Sequence, residues 1–195
     1  MIKKEKRLFV LFAALMAIIV ALSNYLVQFP IQYYGLQNLL TYGALSYPIA
    51  FLITDLSNRC YGKYIAKKIV YLGFAIGVFL TFFFSTNFTD LISIRIALGS
   101  GAAFLVAQLL DVYIFDKLRK KVWYVAPLTS SIIGSTIDTF LFFSIAFYGT
   151  SINWLNLSFG DLSVKIIVAL VMLIPFRILL SRLQEVSAIE KKISV

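Results

Sequence analysis

The sequence predicts an all-α membrane protein with six transmembrane helices, and two observations carry this prediction. The 195-residue chain is 61% hydrophobic and 14% charged, whereas a soluble domain is roughly 45–50% apolar and about 25% charged. Its mean hydropathy is +0.90, and its apolar residues form long runs of the length that a membrane span needs, about 20 residues. We therefore expect residues 1–195 to form a single domain embedded in the lipid bilayer.

The apolar runs give the helices in order. They are Leu8–Val27, Leu39–Leu56, Ile69–Ser85, Leu91–Phe115, Val125–Tyr148 and Val164–Leu180. The first run is an alternative candidate for a signal peptide, because Ala21-Leu22-Ser23 loosely resembles a cleavage site; its length and the polar Ser23-Asn24 favour a span. On the third run, Gly73 and Gly77 form a G-x-x-x-G motif, which either lets another helix approach closely or arises by chance.

The charges between the runs alternate. Basic residues cluster before the first helix (Lys3, Lys4, Lys6, Arg7), between the second and third (Arg59, Lys63, Lys67, Lys68), between the fourth and fifth (Lys117, Arg119, Lys120, Lys121) and after the sixth (Arg182, Lys191, Lys192). The connections Gln28–Asn38, Thr86–Asp90 and Gly149–Asp161 contain no Lys or Arg. The positive-inside rule therefore predicts that both termini are cytoplasmic. The net charge of +9 is assigned to topology and lipid headgroups, and not to nucleic acid.

Several classes of chemistry are excluded by composition. The chain has no histidine and one cysteine, Cys60, so it can form neither an intrachain disulfide nor a zinc or iron–sulfur site. Without an imidazole, Ser-His-Asp and Cys-His catalysis are impossible. Walker, G-x-G-x-x-G and H-E-x-x-H motifs are also missing from the sequence. We expect no catalytic residue, no metal and no cofactor, although a role in membrane assembly stays open.

The fourth helix carries a polar face. Taking about 100° per residue, Ser100, Phe104, Gln108 and Asp111 fall within an arc of roughly 80°. An ionised side chain in hydrocarbon costs roughly 2.5 kcal/mol or more. This face is therefore predicted to point into the bundle, where its serine serves either packing or binding.

The fifth helix has a similar face. Ser131, Gly134, Ser135 and Asp138 fall within an arc of roughly 100°, and Asp138 is about 20 Å along the helix, too deep to reach the surface easily. We expect the faces of the fourth and fifth helices to line one shared cavity.

Other charged residues lie nearer the predicted helix ends. Asp55 and Asp111 are close to the cytoplasmic ends, where pairing with Arg59, Lys63 or Lys117 is an alternative to a binding role. At the outer ends, Asp161 and Lys165 are four residues apart and can pair along one helix face. Arg95 is opposite in phase to Ser100, which suits either helix packing, the outer mouth or a surface anchor.

Four segments together resemble the queuosine precursor transporter family, also called the vitamin uptake transporter family. They are Ser23-Asn24-Tyr25-Leu26-Val27-Gln28, Tyr47-Pro48 through Thr54-Asp55-Leu56 to Tyr61-Gly62, Arg95 through Gln108-Leu109-Leu110-Asp111-Val112 to Phe115, and Pro127 through Ser130, Gly134 and Asp138-Thr139 to Ala146-Phe147. Asp161 and Lys165 also fit the start of the family's last helix. The resemblance covers most of the chain.

The resemblance implies a multi-pass importer of the bacterial inner membrane that carries deazaguanine precursors of the tRNA base queuosine. A guanine-like edge offers two adjacent N–H donors, which one carboxylate can accept, while an amide meets its carbonyl. The candidate substrate-binding residues are Asp138, Gln108, Asp111, Ser131, Ser100, Asn24, Asp55 and Phe104; Asp138 or Asp111 would hold the edge, and Phe104 could stack on the ring. Arg95, Asp161 and Lys165 are candidate outer-mouth or structural charges.

Four points remain open from the sequence. The chain is either a self-sufficient transporter, by facilitated or ion-coupled movement, or a substrate-binding subunit that needs an energising partner. Its substrate is either a deazaguanine, queuine included, or another nucleobase or vitamin. Asp138 could instead relay protons, and a homo-oligomer is possible.

Overall fold

The structure, a computed structural model, describes residues 3–32, 40–84 and 90–193, with side chains described over 7–32, 40–83 and 90–183. This part of the chain forms six α-helices: α1 (Lys3–Leu26), α2 (Gly43–Tyr61), α3 (Lys63–Phe84), α4 (Leu91–Leu118), α5 (Val125–Phe147) and α6 (Trp154–Ile193). Beyond one isolated bridge between Pro30 and Thr41, the described ranges contain no β-structure. Much of the predicted connections Gln28–Asn38 and Thr86–Asp90 lies outside the described residues.

Five of these helices, α1 and α3 to α6, are long and apolar enough to cross a membrane. The remaining helix, α2, is more polar, and most of its residues are buried. Its 19 residues give a length of about 28 Å at 1.5 Å per residue, close to the thickness of a bilayer core. It packs against all five other helices, which shield its polar groups from lipid. The predicted fold class, an all-α polytopic membrane protein, is confirmed.

The bundle buries polar and charged side chains among its apolar core residues, and its outer faces are apolar. Its buried residues include Asp55, Asp111, Asp138 and Lys165, whereas large apolar side chains such as Phe83 are exposed. In water this arrangement would expose far too much apolar surface. Lipid is therefore the solvent that the outer faces of these helices require.

The basic segment between α2 and α3 differs from its prediction as a loop. Only Gly62 separates the two helices, and its φ of 82° ends α2. Lys63, Lys67 and Lys68 lie in the first turns of α3, because lysine is a good helix former and its long side chain can keep the ammonium in water. The prediction of a loop was therefore wrong here, although the charges stay at a helix end.

The start of α6 also differs from its prediction. The helix begins at Trp154, ten residues before the predicted Val164, so that Asp161 lies inside the helix and not in a connection. The polar residues of this first part of α6 include Ser158 and Asp161, which are buried against the bundle. Because these polar residues are buried, the segment remains helical where hydropathy alone predicted a loop.

The close approach suggested by the G-x-x-x-G motif is present between α1 and α3. A Cβ atom built on Gly73 would overlap Cγ of Met16, and one on Gly77 would lie 2.7 Å from Cβ of Val20. Two side chains of α1 thus fill the spaces above the two glycines. This contact ties α1 into the bundle, where it contributes Asn24 to the interior.

Candidate functional site

The polar interior is organised along one side of α2. Tyr47, Thr54, Asp55 and Asn58 are all buried, and their spacing of seven, eight and eleven residues places them close in phase on a helix with 3.6 residues per turn. Each contacts a polar group of another helix. Three groups of residues can be distinguished along this line.

The first group, the Tyr47 network, joins α1, α2, α3 and α4. The Tyr47 hydroxyl donates to Oδ1 of Asn24 at 2.9 Å and contacts Oγ of Ser100, which also donates to Asn24. Nδ2 of Asn24 donates to Oγ1 of Thr81 at 2.9 Å. Asn24 and Ser100, two predicted binding residues, are therefore already engaged with one another.

The second group, the Lys165 triad, joins α5 and α6. The Lys165 ammonium lies 2.6 Å from Oδ2 of Asp161 and 2.9 Å from Oδ2 of Asp138, and it donates to Oγ1 of Thr139 at 3.1 Å. The ammonium thus pairs with two carboxylates and donates to one hydroxyl. Thr139 in turn donates to Asp161 at 2.9 Å. The ammonium also lies 5.0 Å from the centre of the Tyr47 ring, so the triad borders the Tyr47 network.

The predicted pairing of Asp161 with Lys165 is confirmed by this geometry. Both residues are buried inside the bundle, which fits the structural role considered for them. Asp138 faces inward as predicted, but its carboxylate meets an ammonium and not an open cavity. An ionised aspartate is retained at this depth because a lysine neutralises it.

The third group, the acidic site, joins α2, α4 and α5. Asp55 accepts hydrogen bonds from Ser130 at 3.3 Å and from Ser131 at 3.4 Å. The carboxyl group of Asp111 is close enough to that of Asp55 to interact with it. One turn before Asp111 on α4, Oε1 of Gln108 accepts a hydrogen bond from Thr54.

Several atoms at the acidic site have no hydrogen-bond partner among the residues that the structure describes. They are both carboxylate oxygens of Asp111, Nε2 of Gln108 and Oγ of Ser135. Each of these side chains is at most 1% exposed. Buried polar atoms without a partner are rare and unfavourable in proteins, and such a group calls for a specific explanation, such as water or a ligand.

Ion pairing with the nearby basic residues does not account for the acidic site. Lys63 instead pairs with Asp116 at 3.3 Å, and Lys117 lies over the Tyr113 ring. Arg59 and Arg119 donate to each other's backbone carbonyl groups and so join the ends of α2 and α4. The alternative in which Asp55 and Asp111 serve as boundary ion pairs is therefore wrong.

A narrow crevice leads to Asp55 between α2, α5 and α6. Its empty volume is about 310 Å³, including solvent at its mouth, and it offers space for about one water molecule inside. Asp55, Ser131 and Ser135 supply its polar lining, whereas Phe51 and Phe176 are among its apolar residues. A planar base therefore needs a movement of these helices before it can enter.

Two phenylalanines separate the polar groups from one another. Phe51 is one turn from both Tyr47 and Asp55, and its ring packs so closely on Gly134 that a Cβ there would lie 2.6 Å from it. Phe104 lies parallel to the Phe74 ring, with the centroids 6.1 Å apart. It is thus part of the buried core, and stacking on a substrate would require it to leave this position.

Arg95 serves helix packing, one of the roles considered for it. Its guanidinium group donates to the carbonyl oxygens of Ile145 at 2.9 Å and Tyr148 at 2.7 Å. These carbonyls are at the C-terminal end of α5, where cations interact favourably with the helix dipole. Arg95 points away from Ser100, as its helical phase predicted.

The expected single cavity between α4 and α5 is not what the described residues form. The polar faces point inward as predicted, but their members are divided among three groups, two of which include residues of α2. Tyr47, Thr54 and Ser130 were missed as site residues. The helical phase of α2, on which Tyr47 and Thr54 lie near Asp55, would have revealed the first two.

Comparison with known proteins agrees with this architecture. Residues 41–180 match a family model described as "Putative vitamin uptake transporter". A Haemophilus influenzae protein named "Probable queuosine precursor transporter" is 36% identical, with 80% of this chain and 79% of that protein covered. The chain therefore belongs to the queuosine precursor transporter family.

Two further relatives support this assignment. The Escherichia coli protein named "Queuosine precursor transporter" is 31% identical, with 88% of both chains covered. A Bacillus subtilis protein named "Probable queuosine precursor transporter" is 30% identical, with 68% of both chains covered. No solved structure matches the chain. With its membrane-spanning helices, this member of the family is a multi-pass protein of the bacterial inner membrane, and the family is one of transporters and not of enzymes.

Proposed function

We propose that this chain imports deazaguanine precursors of queuosine across the bacterial inner membrane, and that Asp111 and Gln108 receive the base. The names of its relatives supply the substrate class. The observation that carries the proposal for the site is the set of unpartnered atoms on one face of α4: two oxygens of Asp111 and Nε2 of Gln108.

These atoms complement the edge of a guanine-like base. The edge offers two adjacent N–H donors and, beside them, a carbonyl oxygen. A carboxylate accepts hydrogen bonds through both oxygens, and an amide nitrogen donates. Asp111 would thus accept from the two N–H groups while Gln108 donates to the carbonyl. A base bound in this way gives partners to three buried atoms that otherwise have none.

Asp138 is the weaker candidate for the same role. Its carboxylate is bound by Lys165 at 2.9 Å, so a base would have to displace an ammonium from a buried ion pair. Removing a charge from such a pair costs several kcal/mol. The remaining predicted residues have supporting roles in this proposal: Ser131 donates to Asp55, and Ser100, Asn24 and Phe104 hold α1, α2 and α4 together.

The test is counterflow in liposomes that contain only the purified protein. Vesicles are loaded with unlabelled cyano-deazaguanine, and entry of the labelled base is measured. The native protein is expected to exchange the base without another subunit. Counterflow by the protein alone would rule out the alternative of an obligatory energising partner, whereas no exchange by folded protein would contradict the proposal.

Aspartate variants test which carboxylate binds the base. Asp111→Asn is expected to weaken base binding by about tenfold or more, because hydrogen bonds to a charged group contribute about 1.5–3 kcal/mol. Asp116→Asn is the matched control, since Asp116 lies on the same helix and is partly exposed in a pair with Lys63. If Asp138→Asn abolished binding and Asp111→Asn did not, the base would be held by the Lys165 triad instead.

A further inference from the structure

We propose that Asp55 binds a proton that travels together with the substrate, so that import is coupled to the proton gradient. This inference rests on the function proposed above, because it takes the ionised Asp111 as the group that receives the base. It starts from two observations. The buried carboxyl groups of Asp55 and Asp111 interact with each other, and Asp55 lines a crevice whereas Asp111 does not.

The described side chains next to the two carboxyl groups are hydroxyl-bearing or apolar. From α5, Ser130 and Ser131 approach Asp55 with their hydroxyl groups. From α6, Met172 and Phe176 line the crevice with apolar atoms. Within the described ranges, no basic side chain forms an ion pair with either carboxyl group, and Asp111 is the charged group that acts on Asp55.

Two neighbouring carboxylates repel each other strongly where the dielectric constant is low. The Lys165 triad solves the same problem for Asp138 and Asp161 with a covalently attached ammonium. Among the residues that the structure describes, none gives the acidic site such a group, and a proton from solution can supply the missing positive charge. A proton on one of the two carboxyl groups leaves a single negative charge on the pair.

A proton fits this position better than a metal ion does. Calcium and magnesium take six or more oxygen ligands. Over the described part of the chain, no group of three or more histidine, cysteine or acidic side chains could hold a metal. The crevice has room for about one water molecule. The unpartnered hydroxyl of Ser135, which is buried and lines the same crevice, gives that water a hydrogen-bond partner beside Asp55.

The coupling follows from the two roles of the pair. To accept two N–H groups of the base, Asp111 has to be ionised on both oxygens. Its ionisation is favoured when the neighbouring Asp55 is neutral, that is, when the proton is on Asp55. Proton binding therefore strengthens base binding, and by linkage base binding strengthens proton binding to the same extent.

The proton balance is simple. In the state open to the side of entry, hydronium in the crevice gives its proton to the Asp55 carboxylate, and an O–H bond forms there. After the base leaves Asp111 on the other side, that O–H bond breaks and the proton passes to water. One proton and one neutral base cross in each cycle, and no other reactant is consumed.

The experiment uses the intact protein in liposomes with labelled cyano-deazaguanine and an imposed pH gradient. With one proton per base, an inward gradient of one pH unit is expected to drive about tenfold accumulation by the native protein. In Asp55→Asn, gradient-driven accumulation is expected to fall to the level of simple equilibration, while counterflow stays measurable. Accumulation by Asp55→Asn that matches the native protein would overturn the proposal.

A second measurement needs no variant and covers the case in which Asp55→Asn does not fold. Native protein in weakly buffered detergent is mixed with the base, and a pH indicator is followed. We expect uptake of about one proton per base bound at a pH where the free site is ionised. Base binding without proton uptake at a pH where both carboxyl groups of the free site are ionised would refute the coupling and leave the proposed function intact. Absence of both binding and counterflow in the native protein would instead refute the proposed function.

Discussion

Two groups of buried aspartates lie in the same helix bundle and differ in whether a basic side chain pairs with them. Asp138 and Asp161 share Lys165, whose ammonium pairs with both carboxylates and donates to Thr139. Asp55 and Asp111 have no basic partner among the described residues, and both oxygens of Asp111 lack a hydrogen bond. The comparison teaches that charge inside a membrane is not by itself a sign of binding. A completed network holds helices together, whereas an incomplete one has capacity left for a ligand.

The largest expected effect is a loss of stability when the Lys165 triad is broken. Lys165→Met leaves Asp138 and Asp161 buried without a cation, and breaking a buried ion pair by removing one partner costs about 3–5 kcal/mol. We expect a strong loss of stability, measured as thermal unfolding of the protein in detergent. Lys68→Met is the control, because Lys68 is exposed and lies over the Tyr64 ring.

A rescue variant sharpens this prediction. In Lys165→Met combined with Asp138→Asn, one of the two unpaired charges is gone, so part of the lost stability should return. If Lys165→Met alone unfolded at the same temperature as the native protein, the triad would not be the structural element described above. The contrast between the two groups of aspartates would then fail.

An intermediate effect is expected at the boundary between the two groups. Gly134→Ala places a Cβ atom 2.6 Å from the Phe51 ring, and overpacking of this kind costs about 1–3 kcal/mol. Because Phe51 also lines the crevice, its displacement should lower counterflow as well as stability.

The control for this substitution is Gly101→Ala. The new Cβ would meet the Phe74 ring at 3.7 Å, an ordinary van der Waals contact, so neither stability nor counterflow should fall. Equal behaviour of the two alanine variants would mean that the packing of Phe51 on Gly134 has no role in separating the acidic site from the Lys165 triad.

A smaller effect, on base binding and not on stability, is expected at the acidic site. Gln108→Leu removes the free amide donor, and a neutral hydrogen bond contributes about 0.5–1.5 kcal/mol. Base binding should weaken about threefold to tenfold. Thr54, which loses its contact with Gln108, still donates to the carbonyl of Ala50 at 3.1 Å, so unfolding should change little. A large loss of stability with unchanged binding would show that Gln108 serves packing.

The sequence predicted those features that follow from hydropathy and helical phase. Hydropathy predicted the six helices, and helical phase predicted that Ser100, Gln108 and Asp138 face the interior. The sequence could not predict the exact helix ends, because lysines continue the α3 helix into the interface and buried polar residues extend α6. Hydropathy measures average polarity, and both extensions are polar segments that remain helical.

The partners of each aspartate were beyond the reach of the sequence. Asp55, Asp111 and Asp138 look alike as acidic residues in apolar runs. Which of them meets Lys165 depends on the packing of α5 against α6, and which two meet each other depends on α2 lying beside α4. These are contacts between helices distant in the chain, about which the periodicity within one helix carries no information.

The smallest expected effect separates helix packing from substrate recognition at Arg95. Arg95→Gln removes the guanidinium group that binds the carbonyls of Ile145 and Tyr148 at the end of α5. A partly exposed cation at a helix C-terminus contributes about 0.3–1 kcal/mol, so the unfolding temperature should fall only slightly. Counterflow and base affinity should match the native protein, because Arg95 is turned away from the acidic site. A tenfold loss of affinity with native stability would instead place Arg95 on the path of the substrate, and the binding region would then extend from the acidic site to the N-terminal end of α4.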